Sequence, residues 1–316
     1  MKKISILIPA YNEQAVLPLL FKRLQGLANK ESDYEFEFLF VNDGSRDDTL
    51  RLIQQASTVD VRINYINLSR NYGKEIAMIA GLDHVKGDAT VIIDADLQDP
   101  PELIPKMITL WEEGYDDVYA KRRSREGETW LKKATSRLYY QTLQKVTNIP
   151  IQEDTGDFRL LDRRVVDALR EFRESQRNTK ALFSLVGFKK KEILYDRDPR
   201  AAGETKWNYL KLLNLAIDGI TSFTTAPLRI ASVFGGIISL FAFLFIIYLV
   251  IRPLFGVETG DGYSSLMAAI LFLGGVQLLS LGIIGEYVGR IFNESKQRPL
   301  YFVEEYHEGT TKKARK

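Results

Sequence analysis

The sequence predicts an α/β domain built on a mostly parallel sheet, followed by an interfacial helix and two transmembrane helices. Three observations predict it. Short apolar runs alternate with segments of helical periodicity through residues 4–120. Several of these runs end in polar clusters of similar composition. Two stretches, 230–251 and 264–284, are apolar for 22 and 21 residues, and about 20 such residues span a bilayer as a helix.

Residues 4–8 read as a first strand. Residues 13–27 read as a helix, because Val16, Leu17, Leu20, Leu24 and Leu27 fall at helical spacing. Residues 36–41 read as a strand, 47–56 as a helix, 63–67 as a strand and 75–85 as a helix. The run 89–93 is short and β-branched, as a buried strand should be. Residues 101–113 open on prolines, which a first helical turn tolerates, and 117–120 read as a further strand. Such alternation implies βαβ units and a largely parallel sheet.

Composition excludes several functions. The 316 residues leave room for one sizeable domain and something more. A formal net charge of +2 provides no global field to recruit nucleic acid. With no Cys there is no disulfide framework, thiolate nucleophile or cysteine zinc site, and His84 and His307 alone cannot make a histidine-rich metal cluster. The N-terminal apolar run imitates a secretory signal but stops at Pro9, before Asn12-Glu13, so it reads as a strand. On this reading the chain enters the membrane by its later segments, and the N-terminal domain stays on the side of synthesis.

Pro9-Ala10-Tyr11-Asn12-Glu13, Asn42-Asp43-Gly44-Ser45 and Asp94-Ala95-Asp96 each follow a strand. Residues so placed line one rim of an open sheet. The rim is nucleotide-like, but G-x-G-x-x-G is missing after the first strand and no P-loop occurs. Asp94 and Asp96, at a strand end, suit Mg²⁺ or Mn²⁺ whose shell a substrate's phosphates complete.

Five motifs occur in order: Ile-Pro-Ala-Tyr-Asn-Glu (8–13), Val-Asn-Asp-Gly-Ser (41–45), Arg-Asn-Tyr-Gly-Lys (70–74), Asp-Ala-Asp-Leu-Gln-Asp-Pro-Pro-Glu (94–102) and Gly-Asp-Phe-Arg-Leu-Leu-Asp-Arg (156–163). On these residues the chain resembles the inverting family 2 glycosyltransferases of GT-A fold. More narrowly it is similar to the polyprenyl-phosphate glycosyltransferases, the group of dolichol-phosphate mannose synthase and bacterial undecaprenyl-phosphate glucosyltransferases. The resemblance covers about residues 4–210, and the two membrane segments suit the bacterial subgroup.

The resemblance implies roles. Pro9, Tyr11 and Glu13 would frame the base and ribose, with Asp43 contacting uracil or ribose. Asp94 would approach the ribose or the metal, and Asp96 would be the direct metal ligand on the diphosphate. Gln98 and Asp99 would touch the sugar, or else cap the helix at Pro100-Pro101. Asp157 would lie at the acceptor side, where family enzymes place a carboxylate often described as the base. A lipid phosphate is already ionised near pH 7, since its second pKa is about 6, so Asp157 has the alternative task of orienting sugar hydroxyls or a cation. Lys121-Arg122-Arg123-Ser124-Arg125 reads as a loop after a strand, either solvated or, through Arg122, holding phosphates. Arg200-Ala201-Ala202-Gly203-Glu204-Thr205-Lys206 is similar to a family segment just before the membrane, so Arg200 and Lys206 would bind acceptor or donor phosphate.

The membrane half starts with 207–223, where Lys211, Asn214 and Asp218 share a helical stripe, as in an interfacial helix. Residues 129–146 are a second candidate, with a packed surface helix as the alternative for both. Lys206, Lys211 and Arg229 precede the first span, and Arg290, Lys296 and Arg298 follow the second. The positive-inside rule then puts both termini in the cytoplasm. The glycine pairs Gly235-Gly236 and Gly274-Gly275 suit close helix packing within the chain or in a homo-oligomer. The expected parts are a catalytic domain (1–205), a juxtamembrane helix (206–228), a transmembrane hairpin (229–292) and a cytoplasmic tail (293–316), whose basic end touches anionic headgroups.

The expected reaction is metal-dependent transfer of a hexose, glucose first, from a UDP-sugar to polyprenyl (undecaprenyl) phosphate at the bacterial inner membrane, with inversion. The partners are that donor, that acceptor and the lipid bilayer, with no nucleic acid. A processive polysaccharide synthase would carry Gln-x-x-Arg-Trp, yet Trp111, Trp130 and Trp207 follow Leu, Thr and Lys. A non-enzymatic nucleotide-sugar module is the other alternative, and intact Asp94, Asp96 and Asp157 argue against it.

Overall fold

The structure, a computed structural model, describes residues 1–123, 155–175, 177, 179–196, 224–251 and 262–309. They fall into two compact units.

The α/β unit is organised by β1 (Lys2–Ala10), buried along nearly its whole length. It pairs in parallel with β2 (Tyr34–Asn42) on one side and β4 (Ala89–Ile92) on the other, and β2 pairs in parallel with β3 (Ile63–Leu68). The connections are α1 (Leu17–Lys30), α2 (Thr49–Val59) and α3 (Lys74–His84). A sheet buried on both faces needs apolar side chains on both, and β1 supplies them. Ile4, Ile6 and Ile8 join Leu17, Leu20 and Leu24 of α1 in one core cluster. On the other face Leu7 meets α3 so closely that a Cβ at Gly81 would lie 2.0 Å from its Cδ1.

Helix α1 starts later than the periodicity predicts, at Leu17. Pro18 falls in its first turn, where the missing N–H is not needed. The expected helix 101–113 is a 3₁₀ turn, Pro101–Leu103, followed by α4 (Ile104–Glu112). Strand β5 (Asp117–Arg122) is longer than predicted, so Lys121 and Arg122 belong to a strand rather than a loop. The reason is a partner the sequence did not reveal: β7 (Lys190–Tyr195) pairs with β5 in parallel and puts Arg122 opposite Tyr195.

Between β4 and β5 lies β6 (Thr155–Asp162), antiparallel to both. Asp162 then N-caps α5 (Arg163–Arg170) by accepting from the Arg164 amide. Arg163 and Arg170 satisfy the carbonyls at the end of α3: Arg163 Nε donates to Gly87 at 2.9 Å and Arg170 Nε to Leu82 at 2.7 Å. The short α6 (Thr179–Leu185) leads toward β7. The sheet order is β7-β5-β6-β4-β1-β2-β3-β8, with β6 and β8 alone opposing the other strands. The predicted mostly parallel α/β sheet is therefore present.

Residues 293–316, read from sequence as a tail, include β8 (Val303–His307), antiparallel to β3 at the sheet edge. Its side chains are engaged. Tyr65 Oη donates to Glu305 at 2.7 Å, Asn67 Nδ2 to Glu304 at 2.9 Å, and the Gly309 amide to Asn64 Oδ1 at 2.8 Å.

The second unit contains α7 (Ala226–Ile251, 26 residues) and α8 (Tyr263–Ser295, 33 residues), packed on each other. Tyr287 Oη donates to the Thr224 carbonyl at 2.7 Å. Both helices are long and apolar enough to cross a bilayer. Phe234, Phe241, Leu271 and Leu278 are all exposed. Among the described residues, a Cβ at Gly235, Gly236, Gly274 or Gly275 would meet nothing within 4 Å. These glycines therefore do not make the contact between α7 and α8. The juxtamembrane segment 206–223, the candidate helix 129–146 and the basic end of the tail lie outside the described residues.

Truncation after Arg298 should destabilise the α/β unit by at least about 2 kcal/mol, taking roughly 1 kcal/mol for each hydrogen bond lost between β8 and β3. A fall in melting temperature in detergent would show it; an unchanged transition would mean that β8 adds nothing. Gly44 has φ +63°, and a Cβ there would sit 2.5 Å from the Arg70 carbonyl carbon and the Asn71 nitrogen. Gly44→Ala should cost about 1–3 kcal/mol through that overlap, measurable by denaturant unfolding.

Candidate active site

Because β1, β2 and β4 run in parallel, the loops after Ala10, Asn42 and Ile92 emerge on one rim. The first two are laced together. The Asn12 amide donates to Ser45 Oγ at 3.0 Å, and Asn12 Oδ1 accepts from the Arg46 amide at 2.8 Å. The Glu13 amide donates to Thr49 Oγ1 at 2.8 Å, and its carbonyl accepts from the Val16 and Leu17 amides at 3.1 Å. This lattice holds Asn12 at φ 55°. It presents Tyr11 to solvent at 41% exposure, with Pro9 just behind it in β1. Pro9, Tyr11 and Glu13 therefore do sit together.

Asp43 is buried, and both carboxylate oxygens accept main-chain hydrogen bonds, from the Tyr72 amide at 2.7 Å and the Gly73 amide at 2.9 Å. Burial raises its pKa above the usual carboxylate value, and these two amides oppose the rise. The resemblance gives Asp43 to the base or ribose. Here its oxygens anchor the loop that ends at Gly73, which has φ 95°.

That loop delivers Lys74, the first residue of α3. Its ammonium lies 2.6 Å from Asp94 Oδ1 and 2.5 Å from Asp157 Oδ2. Burial works against the charge, but the two carboxylates together hold the Lys74 pKa well above the ordinary lysine value. Next to it, Glu75 accepts from the amide and hydroxyl of Thr179, tying α3 to α6. Burial, and then the charge of Asp157, raise the Glu75 pKa.

Asp94 and Asp157 meet because of register. Ile92 pairs with Arg159 in the β4–β6 ladder, so two residues further on Asp94 faces Asp157. Beyond β4 the chain alternates: Asp94, Asp96 and Gln98 are half-exposed, while Ala95, Leu97 and Asp99 are buried. Asp96 Oδ1 accepts from the Gln98 amide at 3.1 Å, closing a turn in which Leu97 has φ 60°. Asp99 was expected to touch sugar or cap a helix. Instead it points inward and accepts from Tyr195 Oη at 2.5 Å. Burial and then Asp99 raise the Tyr195 pKa. Arg122 ends β5, the strand between β6 and β7, and stands opposite Tyr195, whose hydroxyl donates to Asp99.

The residues fit a hard divalent cation. Asp94 and Asp96 offer half-exposed carboxylates, and no cluster of three or more His, Cys, Asp or Glu able to hold a metal occurs among the described residues. Such a cation needs phosphate oxygens to complete its shell. Arg200 and Lys206 lie outside the described residues. Sequence reasoning assigned no role to Lys74 or Glu75. The available signal was Gly73-Lys74 at the start of a helix, straight after a strand in a rim-forming position.

The chain is similar to proteins already known. Residues 5–170 match the family Glycosyl transferase family 2, and residues 226–291 match the GtrB C-terminal hairpin. An uncharacterized glycosyltransferase of Synechocystis sp. is 50% identical over 302 residues, 95% of this chain and 94% of that protein. The bactoprenol glucosyl transferase of Shigella phage SfII is 41% identical over 307 residues, 97% and 99% of the two chains. The prophage bactoprenol glucosyl transferase homolog of Escherichia coli is 41% identical over 301 residues, 95% and 98%. Among solved structures, glucosyl-3-phosphoglycerate synthase from Mycobacterium tuberculosis in complex with Mn²⁺, uridine-diphosphate and glucosyl-3-phosphoglycerate has TM-score 0.49 and 18% identity over 70% of this chain and 78% of that one. With its strand-end carboxylates, its family match over more than half its length and its full-length relatives, the chain belongs to glycosyl transferase family 2.

Proposed function

We propose that this protein transfers glucose from UDP-glucose to a polyprenyl phosphate of the undecaprenyl class, with inversion at the anomeric carbon. One observation carries the reading: Asp94, two residues before Asp96, shares the Lys74 ammonium with Asp157, in a chain that matches bactoprenol glucosyl transferases over nearly its whole length. Pro9, Tyr11 and Glu13 form the base and ribose end of the donor site. Asp96, with Asp94, holds Mg²⁺ or Mn²⁺ on the diphosphate. When bound, the cation supplies Lewis-acid stabilisation of the departing nucleoside diphosphate.

The acceptor oxygen attacks from the face opposite the leaving group, which inverts the sugar. A phosphate monoester is ionised near neutral pH, so the attack leaves Asp157 no proton to remove. Most of the acceleration then arises from holding two reactants in line. Arg200 and Lys206 are the proposed phosphate contacts. Helices α7 and α8 cross the bacterial inner membrane, with the α/β unit and both termini on the cytoplasmic side, so a soluble donor meets a lipid acceptor at the headgroup plane. Homo-oligomer formation belongs to this reading and rests on the open glycines of α7 and α8.

The test is transfer of labelled glucose from UDP-glucose to an organic-extractable lipid by purified full-length protein with polyprenyl phosphate and Mg²⁺ or Mn²⁺. Label in the lipid phase that EDTA abolishes is expected; a silent panel of UDP- and GDP-sugars would overturn the reading. Asp96→Asn should lose on the order of 10²-fold or more in kcat, as removal of a charge-stabilising group does, with an unchanged melting temperature. Near-normal turnover in that variant would remove Asp96 from the metal site.

A further inference from the structure

Lys74 stands between the donor-side and acceptor-side carboxylates, and no role for it follows from the reaction as described so far. Its ammonium is within 2.6 Å of Asp94 and 2.5 Å of Asp157, while its side chain keeps 42% exposure. Three independent constraints put it there. Asp43 fixes the amides of Tyr72 and Gly73 just before it. Gly73 turns the chain at φ 95° into α3. The Glu75–Thr179 hydrogen bonds hold the first turn of α3 against α6. A flexible surface lysine has no such scaffold.

We infer that Lys74 is a positioning residue of the transfer step: it fixes Asp157 against Asp94, and Asp157 acts through this ion pair rather than as a proton acceptor. The two carboxylates reach one ammonium, and like charges that close repel unless a cation lies between them. An acceptor phosphate already ionised near neutral pH has no proton to give Asp157. What the pair supplies is geometry. Asp157 is kept at one place on the acceptor side and Asp94 at one place on the donor side, with the ammonium fixed between them.

This inference rests on the transferase reading, and its test is read in the full-length protein after wild-type turnover is established. Four variants are compared: Lys74→Met, Lys74→Arg, Asp157→Asn and the Lys74→Met, Asp157→Asn double variant. Each is assayed for kcat, for acceptor KM and, by calorimetry, for the Kd of the nucleotide-sugar. Lys74→Met and Asp157→Asn should each lower kcat by about 10²-fold, and the double variant should be no worse than about twofold below the worse single one, since residues acting as a unit are not additive. Donor Kd should change less than about threefold, and Lys74→Arg should recover at least about a tenth of wild-type kcat; these two thresholds follow from a role in orientation rather than in donor binding. Multiplying losses in the double variant, a kcat for Lys74→Met near wild type, or a donor Kd that weakens in step with kcat would each overturn the inference. Should Lys74→Met fail to fold, Lys74→Gln carries the same thresholds. A silent wild-type enzyme would instead defeat the transferase reading itself.

Discussion

Two carboxylates facing one cleft repel each other unless a cation stands between them, and at this rim that cation is the ammonium of Lys74. The rest of the site depends on where it is put. Its position is dictated from the neighbouring loop, where Gly44 allows a close backbone approach to Arg70 and Asn71 and Asp43 takes the next two amides. The loop after β2 thus fixes the run of main chain that leads from β3 into α3. Charges partly withdrawn from water are tolerated best where they are paired, and each of the three members is.

Asp157 owes its place to a buried pair farther along β6. Along β6, Asp157 and Arg159 point to the same face, as residues two apart in a strand must. Arg159 is fully buried, bonds Asp117 Oδ2 at 3.1 Å and stacks on the ring of Phe183 at 3.7 Å. Lys190 lies 3.8 Å from the same Asp117. Burial pushes the Asp117 pKa up, and Arg159 is the first of the charges that oppose it. Such a pair adds little net stability, but it ties β6 to β5, and β6 in turn pairs with β4 in a single register. That register brings Asp157 opposite Asp94.

How much was legible varied with the range of the interaction. The parallel strands β1 to β4 showed as apolar runs because each is buried on both faces, and the rim residues showed because they follow those runs. β6 was hidden by Asp157 and Arg159, charges that strand composition normally avoids. β8 was hidden by Glu304 and Glu305, whose partners Asn67 and Tyr65 lie more than two hundred residues away. Asp99 looked like a site residue for the same reason in reverse. A carboxylate beside Asp96 invites a ligand role, and only the hydroxyl of Tyr195 shows that it faces the interior.

The sequence by itself determined the fold class, the rim where the strand-end polar clusters gather, and two helices suited to a bilayer. Each is a local property: hydrophobic period, strand-end position, unbroken apolar length. Only the tertiary structure decided that Asp157 faces Asp94, that Lys74 joins them, that Asp43 serves the loop before Lys74, and that the chain returns after α8 to add an edge to the sheet. These are matters of register and of pairing across the chain. A strand's register is set by which partners bury and bond its side chains, and those partners lie far off in sequence.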